Sequence, residues 1–364
     1  MVLYVIDWGM DTPSLHINQE WPYVLTLLPV DLEETAREIN ALVRCRNVPS
    51  AASLMRTILA YALSDLSLKD VAAWASALDV AEITGPGLFY RLREAEAWLG
   101  RVLAQTLGEE VSNVPRGLRL RAVDATVING PGATGTDWRA HLRIDPVTGS
   151  FQSVELTDSR GGEGYQRHAV QAGEVILGDR AYATARGIYA VQRAEADVVV
   201  RLNPHAIRIC DENKKRVSLL GERENVPKLG AMDYSLLVPI PPEKATKSHK
   251  PWSLAKAIDW VPSRVVAART RKGEVIWVLT TLPYEEVSSV RVLELYRVRW
   301  QIELLFKRLK SLLHLDTLPS RQGPTAKSWM LARFLAAALA QKIVRPSGPL
   351  SPWGYELREN GVQT

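Results

Sequence analysis

Leucines and alanines recur at three- and four-residue spacings from about residue 31 to 107, through Glu33 to Leu42, Ala51 to Leu63, Leu68 to Leu78 and Leu88 to Leu107. That period lines one face of a helix, so these runs predict amphipathic helices, the third with Ser67 as its N-cap. Near Pro115 the period falls to two. Leu118, Leu120, Ala122, Asp124, Thr126 and Ile128 fall on one side of a strand, and Arg119, Arg121, Val123, Ala125 and Val127 on the other. A second strand, Trp138 to Ile144, leads through the turn Asp145-Pro-Val-Thr-Gly149 into a third, Phe151 to Thr157. A fourth, Glu174 to Leu177, ends in Gly178-Asp179 and is followed by a helix around Thr184 to Ala194 and a fifth strand, Asp197 to Leu202. Further strand-like runs at Tyr234 to Pro239, Arg264 to Ala268 and Val275 to Thr281 lie between Pro- and Lys-rich loops. A long helix from Tyr284 to Leu313 and another from Ala326 to Val344 complete the pattern.

Three antiparallel strands, then a strand, a helix and a strand, is the element order of a ribonuclease H-like sheet. The expected fold is therefore α/β: a ribonuclease H-like catalytic core with a β-strand insertion, preceded by an all-helical N-terminal region that is a candidate DNA-binding region. The segments are residues 1–115 (helical region), 116–202 (first part of the core), 203–282 (β insertion), 283–345 (C-terminal helices of the core) and 346–364 (tail). Ser64 to Leu99, two short helices around Ile83-Thr-Gly-Pro-Gly87, has the outline of a helix-turn-helix. A helical bundle that never meets DNA has the same outline, and both readings stand at this point.

Composition narrows the class. A chain of 364 residues suggests two or three structural units. An apolar fraction of 46% supports packed cores and confines expected disorder to the tail, where Arg345-Pro-Ser-Gly-Pro-Leu-Ser-Pro352 reads as loop. Cys45 and Cys210 have neither paired spacing nor histidine companions, so no disulfide framework or zinc site is indicated. Met1-Val-Leu-Tyr-Val-Ile-Asp7 carries no basic leader, and Arg333 and Lys342 interrupt the most apolar helical run, so a cytoplasmic protein with no membrane span is expected. The net charge of +5 is compatible with a polyanionic partner. Its distribution says more: Lys214, Lys215, Arg216, Lys244, Lys247, Lys250, Arg269, Arg271, Lys272, Arg297, Arg299, Lys307, Arg308 and Lys310 all lie in the second half, although any one cluster could be a solvated surface.

The most specific chemical signal lies on the long helix. Tyr296, Arg299, Glu303 and Lys310, at plus three, plus seven and plus fourteen, point to roughly 0°, 300°, 340° and 320° at about 100° per residue. They share one stripe beside the apolar flank of Val298, Ile302, Leu305, Leu309 and Leu312, and Trp300 and Lys307 extend its edge. An ordinary i, i+4 surface pair between Arg299 and Glu303 is the alternative. Asp124 interrupts an apolar strand face, where an isolated charge is costly unless it is paired or binds a metal. Asp179 ends a strand after Gly178. If the first and fourth strands are neighbours, both aspartates meet at the centre of the sheet and Glu303 completes the cluster. Hard divalent cations such as Mg²⁺ relieve the repulsion of three carboxylates. Asp137, Asp145, Asp158, Glu163 and Asp197 compete for such a role, with solvated turn positions favoured for Asp145 and Asp158. His141 and His168 show no ligand spacing and read as structural or exposed.

Val-Asp124-Ala-Thr, Leu-Gly-Asp179-Arg-Ala-Tyr and the Tyr-x2-Arg-x3-Glu-x6-Lys helix together resemble the DDE transposases of bacterial insertion sequences, in particular the insertion-sequence-four family, over roughly residues 60 to 345. The resemblance implies catalytic and metal-binding roles for Asp124, Asp179 and Glu303, with two Mg²⁺ ions for which Mn²⁺ can substitute. It implies that Tyr296, Arg299 and Lys310 grip double-stranded DNA near the cleaved end. Trp300, with Lys307 beside it, would stack against a distorted end or serve as half-buried packing. Cut-and-paste movement, often through a hairpin, by a homodimer that pairs two transposon ends and transfers them to a target is the implied activity. A ribonuclease H-like nuclease without strand transfer and an inactive DNA-binding relative are the alternatives. The histidine and multiple arginines of a tyrosine recombinase are not evident on this helix.

Overall fold

In a computed structural model of the chain, the described residues are 14–107, 118–243, 252–270, 272–315, 318–320 and 323–344. The segment Met1 to Asp7, Pro115, the basic residues Lys244, Lys247, Lys250 and Arg271, and the tail 346–364 lie outside them. The alternation that starts at Leu118 becomes β1 (Arg119–Ile128), which pairs antiparallel with β2 (Trp138–Ile144), itself antiparallel to β3 (Phe151–Asp158). β4 (Glu174–Gly178) lies parallel to β1 on its other side, and β5 (Asp197–Arg201) parallel to β4, joined by α7 (Ala185–Arg193). β6 (Ala231–Ile240), β7 (Asp259–Arg269) and β8 (Val275–Thr280) extend the same sheet antiparallel beyond β5. The eight strands run β3-β2-β1-β4-β5-β8-β7-β6, so the expected neighbours β1 and β4 sit together well inside the sheet.

Each face of the sheet carries a core. Leu120, Ala122 and Ile128 of β1 pack with the helices of both chain ends, whereas Val123, between them, packs with Tyr165, Tyr182, Ile188 and Val191 on the opposite face. On the first face lie α1 (Ser14–Leu27), α2 (Leu32–Glu38), α3 (Ala51–Leu63), α4 (Leu68–Ala77), α5 (Gly85–Glu94) and α6 (Glu96–Leu107), followed from the C-terminal part by α8 (Ser289–Val298), α9 (Trp300–Leu313) and α10 (Gly323–Val344). α10 is apolar nearly all round, the pattern of a helix surrounded by partners. It packs against α3, α5, α6 and β3, with Lys327 bonded to Glu96 at 2.8 Å and the Ser328 hydroxyl donating to Leu92 O at 2.5 Å. The N-terminal helices therefore share one continuous core with the sheet and α10. No described helix is long and apolar enough to cross a membrane.

Several sequence expectations are corrected. α1 precedes the first periodic run. The run Leu88 to Leu107 is two helices meeting at Ala95, and the first starts earlier, at Gly85, because the Thr84 side chain caps it by accepting from Gly87 N. Residues 78–84 join α4 to α5, a longer link than the three or four residues of a helix-turn-helix. The helix expected over 284–313 begins only at Ser289, capped by Ser288, and is interrupted at Arg299. There Arg299 N bonds Tyr296 O and Ile302 N bonds Arg299 O, both three residues back, a tightened turn between two α-helical segments. Asp145 does not sit in a solvated turn. Its Oδ1 accepts from Val147 N and Thr148 N, while its carboxylate joins Arg121 at 3.4 Å inside a buried network that includes Glu174 and Arg143.

Candidate functional site

The register that pairs Ala122 with Leu177 puts Asp124 level with Asp179, two residues further along each strand. Asp124 projects from the helix-covered face of β1 with 15% of its side chain exposed. Burial pushes its carboxyl up to about 7; the Ala125 amide opposes this, Asp179 adds to it, Arg299 opposes it and Glu163 adds again. Asp179 follows the last residue of β4, and its Oδ1 accepts from Ala181 N at 2.8 Å, capping the short turn Arg180–Tyr182.

Gly178 fixes where that turn starts. A Cβ there would fall 2.5 Å from the Tyr165 hydroxyl and 2.9 Å from Tyr182 Cβ, both in the fully packed layer beneath the site. The missing side chain thus makes room for the protein's own tyrosines. Gly178→Ala is expected to destabilise the fold by about 1–3 kcal/mol, the usual cost of overpacking, and to displace Asp179. Urea denaturation measures the first effect; a midpoint equal to that of the unmodified chain would contradict the packing.

The break between α8 and α9 turns Arg299 inward. It is 9% exposed, its Nη2 donates to Glu303 Oε1 at 2.5 Å, its Nη1 lies 3.8 Å from Asp124 Oδ2, and its guanidinium stands 5.5 Å from the centre of the Tyr296 ring. Burial alone would lower the arginine's pKa, but the Glu303 hydrogen bond and Tyr296 outweigh it and the net shift is upward. Arg299 is thus the internal counter-charge that ties Glu303 to Asp124. Among the described residues no three His, Cys, Asp or Glu side chains already form a cage for a metal ion. Arg299 Nε and Nη1 have no hydrogen-bond partner among the described residues. Trp300 is 55% exposed. Lys307 is exposed and Lys310 partly so, and neither is in an ion pair among the described residues.

Of the competing carboxylates, Asp137 accepts from Gly130 N at 2.7 Å, Asp158 caps its turn through Arg160 N, and Asp197 takes the Thr281 hydroxyl at 2.7 Å. Glu163 is different: its carboxyl is raised by burial and by Asp179, against Arg139. Nothing in its sequence neighbourhood marks it beyond the glycines on either side. His141 and His168 are buried and structural; burial and neighbouring arginines hold His141 at about 4 and, together with His141, His168 at about 3, so both are neutral near pH 7.

A family model described as a transposase DDE domain matches residues 115–339. The chain is 38% identical to the putative transposase InsL of insertion sequence element IS186A of Escherichia coli (strain K12), over 92% of this chain and 96% of that relative. It is also 38% identical, over the same shares, to the transposase of insertion sequence element IS421 of Escherichia coli. Among solved structures it is similar to a piggyBac transposase in a synaptic complex with hairpin DNA, with 8% identity and a TM-score of 0.48 over 93% of this chain and 73% of that one. The family match over most of the chain, with near full-length relatives at this identity, places it plainly: the chain belongs to the DDE transposases of bacterial insertion sequences.

Proposed function

We propose that the chain cuts double-stranded DNA at the ends of its own mobile element and joins the freed ends to target DNA, with Asp124, Asp179 and Glu303 as the catalytic carboxylates of a ribonuclease H-like core. The observation that carries this reading is the level placement of Asp124 and Asp179 on adjacent parallel strands, with Glu303 linked to Asp124 through Arg299. The donor set suits a hard divalent cation: all three are carboxylates, and Asp124 is so poorly compensated that its pKa rises to about 7. Two Mg²⁺ ions, or Mn²⁺ in their place, would there polarise the phosphodiester and ease deprotonation of the attacking oxygen.

The chain's own groups do the rest. Asp124 and Asp179 bind from the rigid sheet and Glu303 from the covering helix. Arg299, whose Nε and Nη1 lack hydrogen bonds among the described residues, takes non-bridging phosphate oxygens once its carboxylate partners are otherwise balanced. Tyr296 donates a hydrogen bond to the same phosphate, and Lys307 and Lys310 neutralise the backbone further along α9. Exposed Trp300 stacks on a base at a distorted or hairpinned end. The N-terminal helices around Ser64 to Leu99 recognise the end sequence, the basic β insertion supports the backbone, and a homodimer in the cytoplasm pairs two ends.

Duplexes carrying the DNA that flanks the element, labelled on either strand, test this reading. Nicked, hairpin and joined products should form with Mg²⁺ or Mn²⁺ and poorly with Ca²⁺, whose looser coordination suits in-line geometry less well. Cleavage without any joined product would reduce the protein to a nuclease.

A further inference from the structure

A buried ion network ties together β1, β2 and β4, the strands that carry or flank the two aspartates. Glu174, the first residue of β4, accepts through Oε1 from Arg121 Nε of β1 at 3.1 Å and from Arg143 Nη2 of β2, and through Oε2 from Gln171 N at 2.9 Å. Arg143 Nη1 also donates to Ala169 O at 2.6 Å, and Arg121 Nη1 lies 3.4 Å from Asp145 Oδ2 in the turn after β2. All four side chains are buried, and none belongs to the Asp124, Asp179, Glu303 set. Arg121 and Asp124 stand three residues apart on one strand, so they point to opposite faces of the sheet.

Such a network is a poor source of stability, because well-packed apolar residues of similar volume commonly serve as well or better. What it can supply is register. β4 reads Glu174-Val-Ile-Leu-Gly178 and is buried along its whole length, with Val175 and Leu177 in one core and Ile176 in the other. A slip of two residues along β1 exchanges apolar for apolar, so burial alone specifies this pairing weakly. The same slip would carry Asp179 about 6.6 Å out of level with Asp124. It would also draw Glu174 away from Arg121 and Arg143, and buried charges left without partners are strongly unfavourable. The network therefore penalises the wrong register more than it rewards the right one.

We propose that Arg121, Arg143, Asp145 and Glu174 are positioning residues for cleavage: from the opposite face of the sheet, their paired charges fix the β1–β4 register that sets Asp124 level with Asp179. The proposal rests on reading those two aspartates as catalytic.

A full-length chain with the network made neutral, by Arg121→Met, Arg143→Met, Asp145→Asn and Glu174→Gln together, tests this beside Asp179→Asn. Urea denaturation, binding of an end-carrying duplex in EDTA and single-turnover cleavage in Mg²⁺ are measured on each. The neutral network is expected to keep its urea midpoint and its DNA affinity but to cleave roughly 100-fold more slowly, the cost of misplacing a reacting group by about 1 Å. A network that only held the fold together would do the reverse, lowering the midpoint and leaving the rate per folded molecule unchanged. A full cleavage rate with the neutral network, while Asp179→Asn is inactive, overturns the positioning role and leaves the aspartate site standing. Cleavage retained in Asp179→Asn overturns the aspartate reading and this one with it. Should the fourfold variant lose its cooperative urea transition, Glu174→Asp takes its place, with the charge kept and the reach shortened: slower cleavage at unchanged DNA affinity supports the proposal and a full rate overturns it.

Discussion

Asp124→Asn is expected to lower strand cleavage by at least ~10³-fold while making the metal-free protein more stable at alkaline pH. The rate loss corresponds to about 4 kcal/mol of transition-state stabilisation, within the several kcal/mol that charge stabilisation by a metal supplies. The gain in stability has the opposite origin. The folded-state pKa of Asp124 is raised from 3.8 to about 7, so the group's contribution is fully present below about pH 4 and is lost as pH rises through 7. By pH 8 the ionised side chain costs the metal-free fold on the order of 4 kcal/mol, which the neutral, isosteric Asn does not incur. Urea denaturation in EDTA should therefore show the unmodified chain weakening from pH 5 to pH 8 and Asp124→Asn weakening much less. Parallel pH dependence in the two proteins would contradict the electrostatic account of Asp124.

Arg299→Ala should cause nicked DNA to accumulate. The first nick acts on nearly regular duplex, whereas the next step must carry the freed 3′ hydroxyl to the opposite strand and hold it in line. Arg299 sits between Asp124 and Glu303 with two nitrogens still able to donate. Charge-assisted hydrogen bonds of about 1.5–3 kcal/mol each make the later step slower by roughly 10- to 100-fold per lost bond. Arg299→Lys keeps the charge without the planar fork and should rescue only partly. Strand-labelled substrates on denaturing gels resolve nick, hairpin and double-strand break; equal loss of all three in Arg299→Ala would sink the clamp.

Local pattern and long-range chemistry were unequally legible. The period-two alternation through Asp124 identified β1 and the face that carries the aspartate, because a strand between two cores displays both faces in its sequence. The placement of Asp124 beside Asp179 needed only the element order, since an antiparallel meander followed by a parallel crossover leaves few arrangements. The break at Arg299 was not legible: Val298-Arg299-Trp300 contains neither glycine nor proline, and the interruption coincides with a side chain drawn toward Asp124 on a different element. The burial of Asp145 is illegible for the same reason. Its turn signal was real, but Arg121 and Glu174, which draw it into the interior, come from other strands. The setting of Glu163 is not legible, because it lies in a glycine loop whose carbonyls are held by Arg139 and Arg167 from other elements.

The most direct test of the central claim, that these carboxylates hold the ions that cut DNA, is metal-specificity switching at Asp179. Asp179→Cys replaces a hard oxygen donor with a soft sulfur, which binds Mg²⁺ poorly and softer first-row ions better. Cleavage of the end substrate by Asp179→Cys should be lost in Mg²⁺ and recovered in Mn²⁺, while the unmodified chain works in both. Equal activity of Asp179→Cys in the two metals, at the level of the unmodified chain, would contradict metal binding at Asp179.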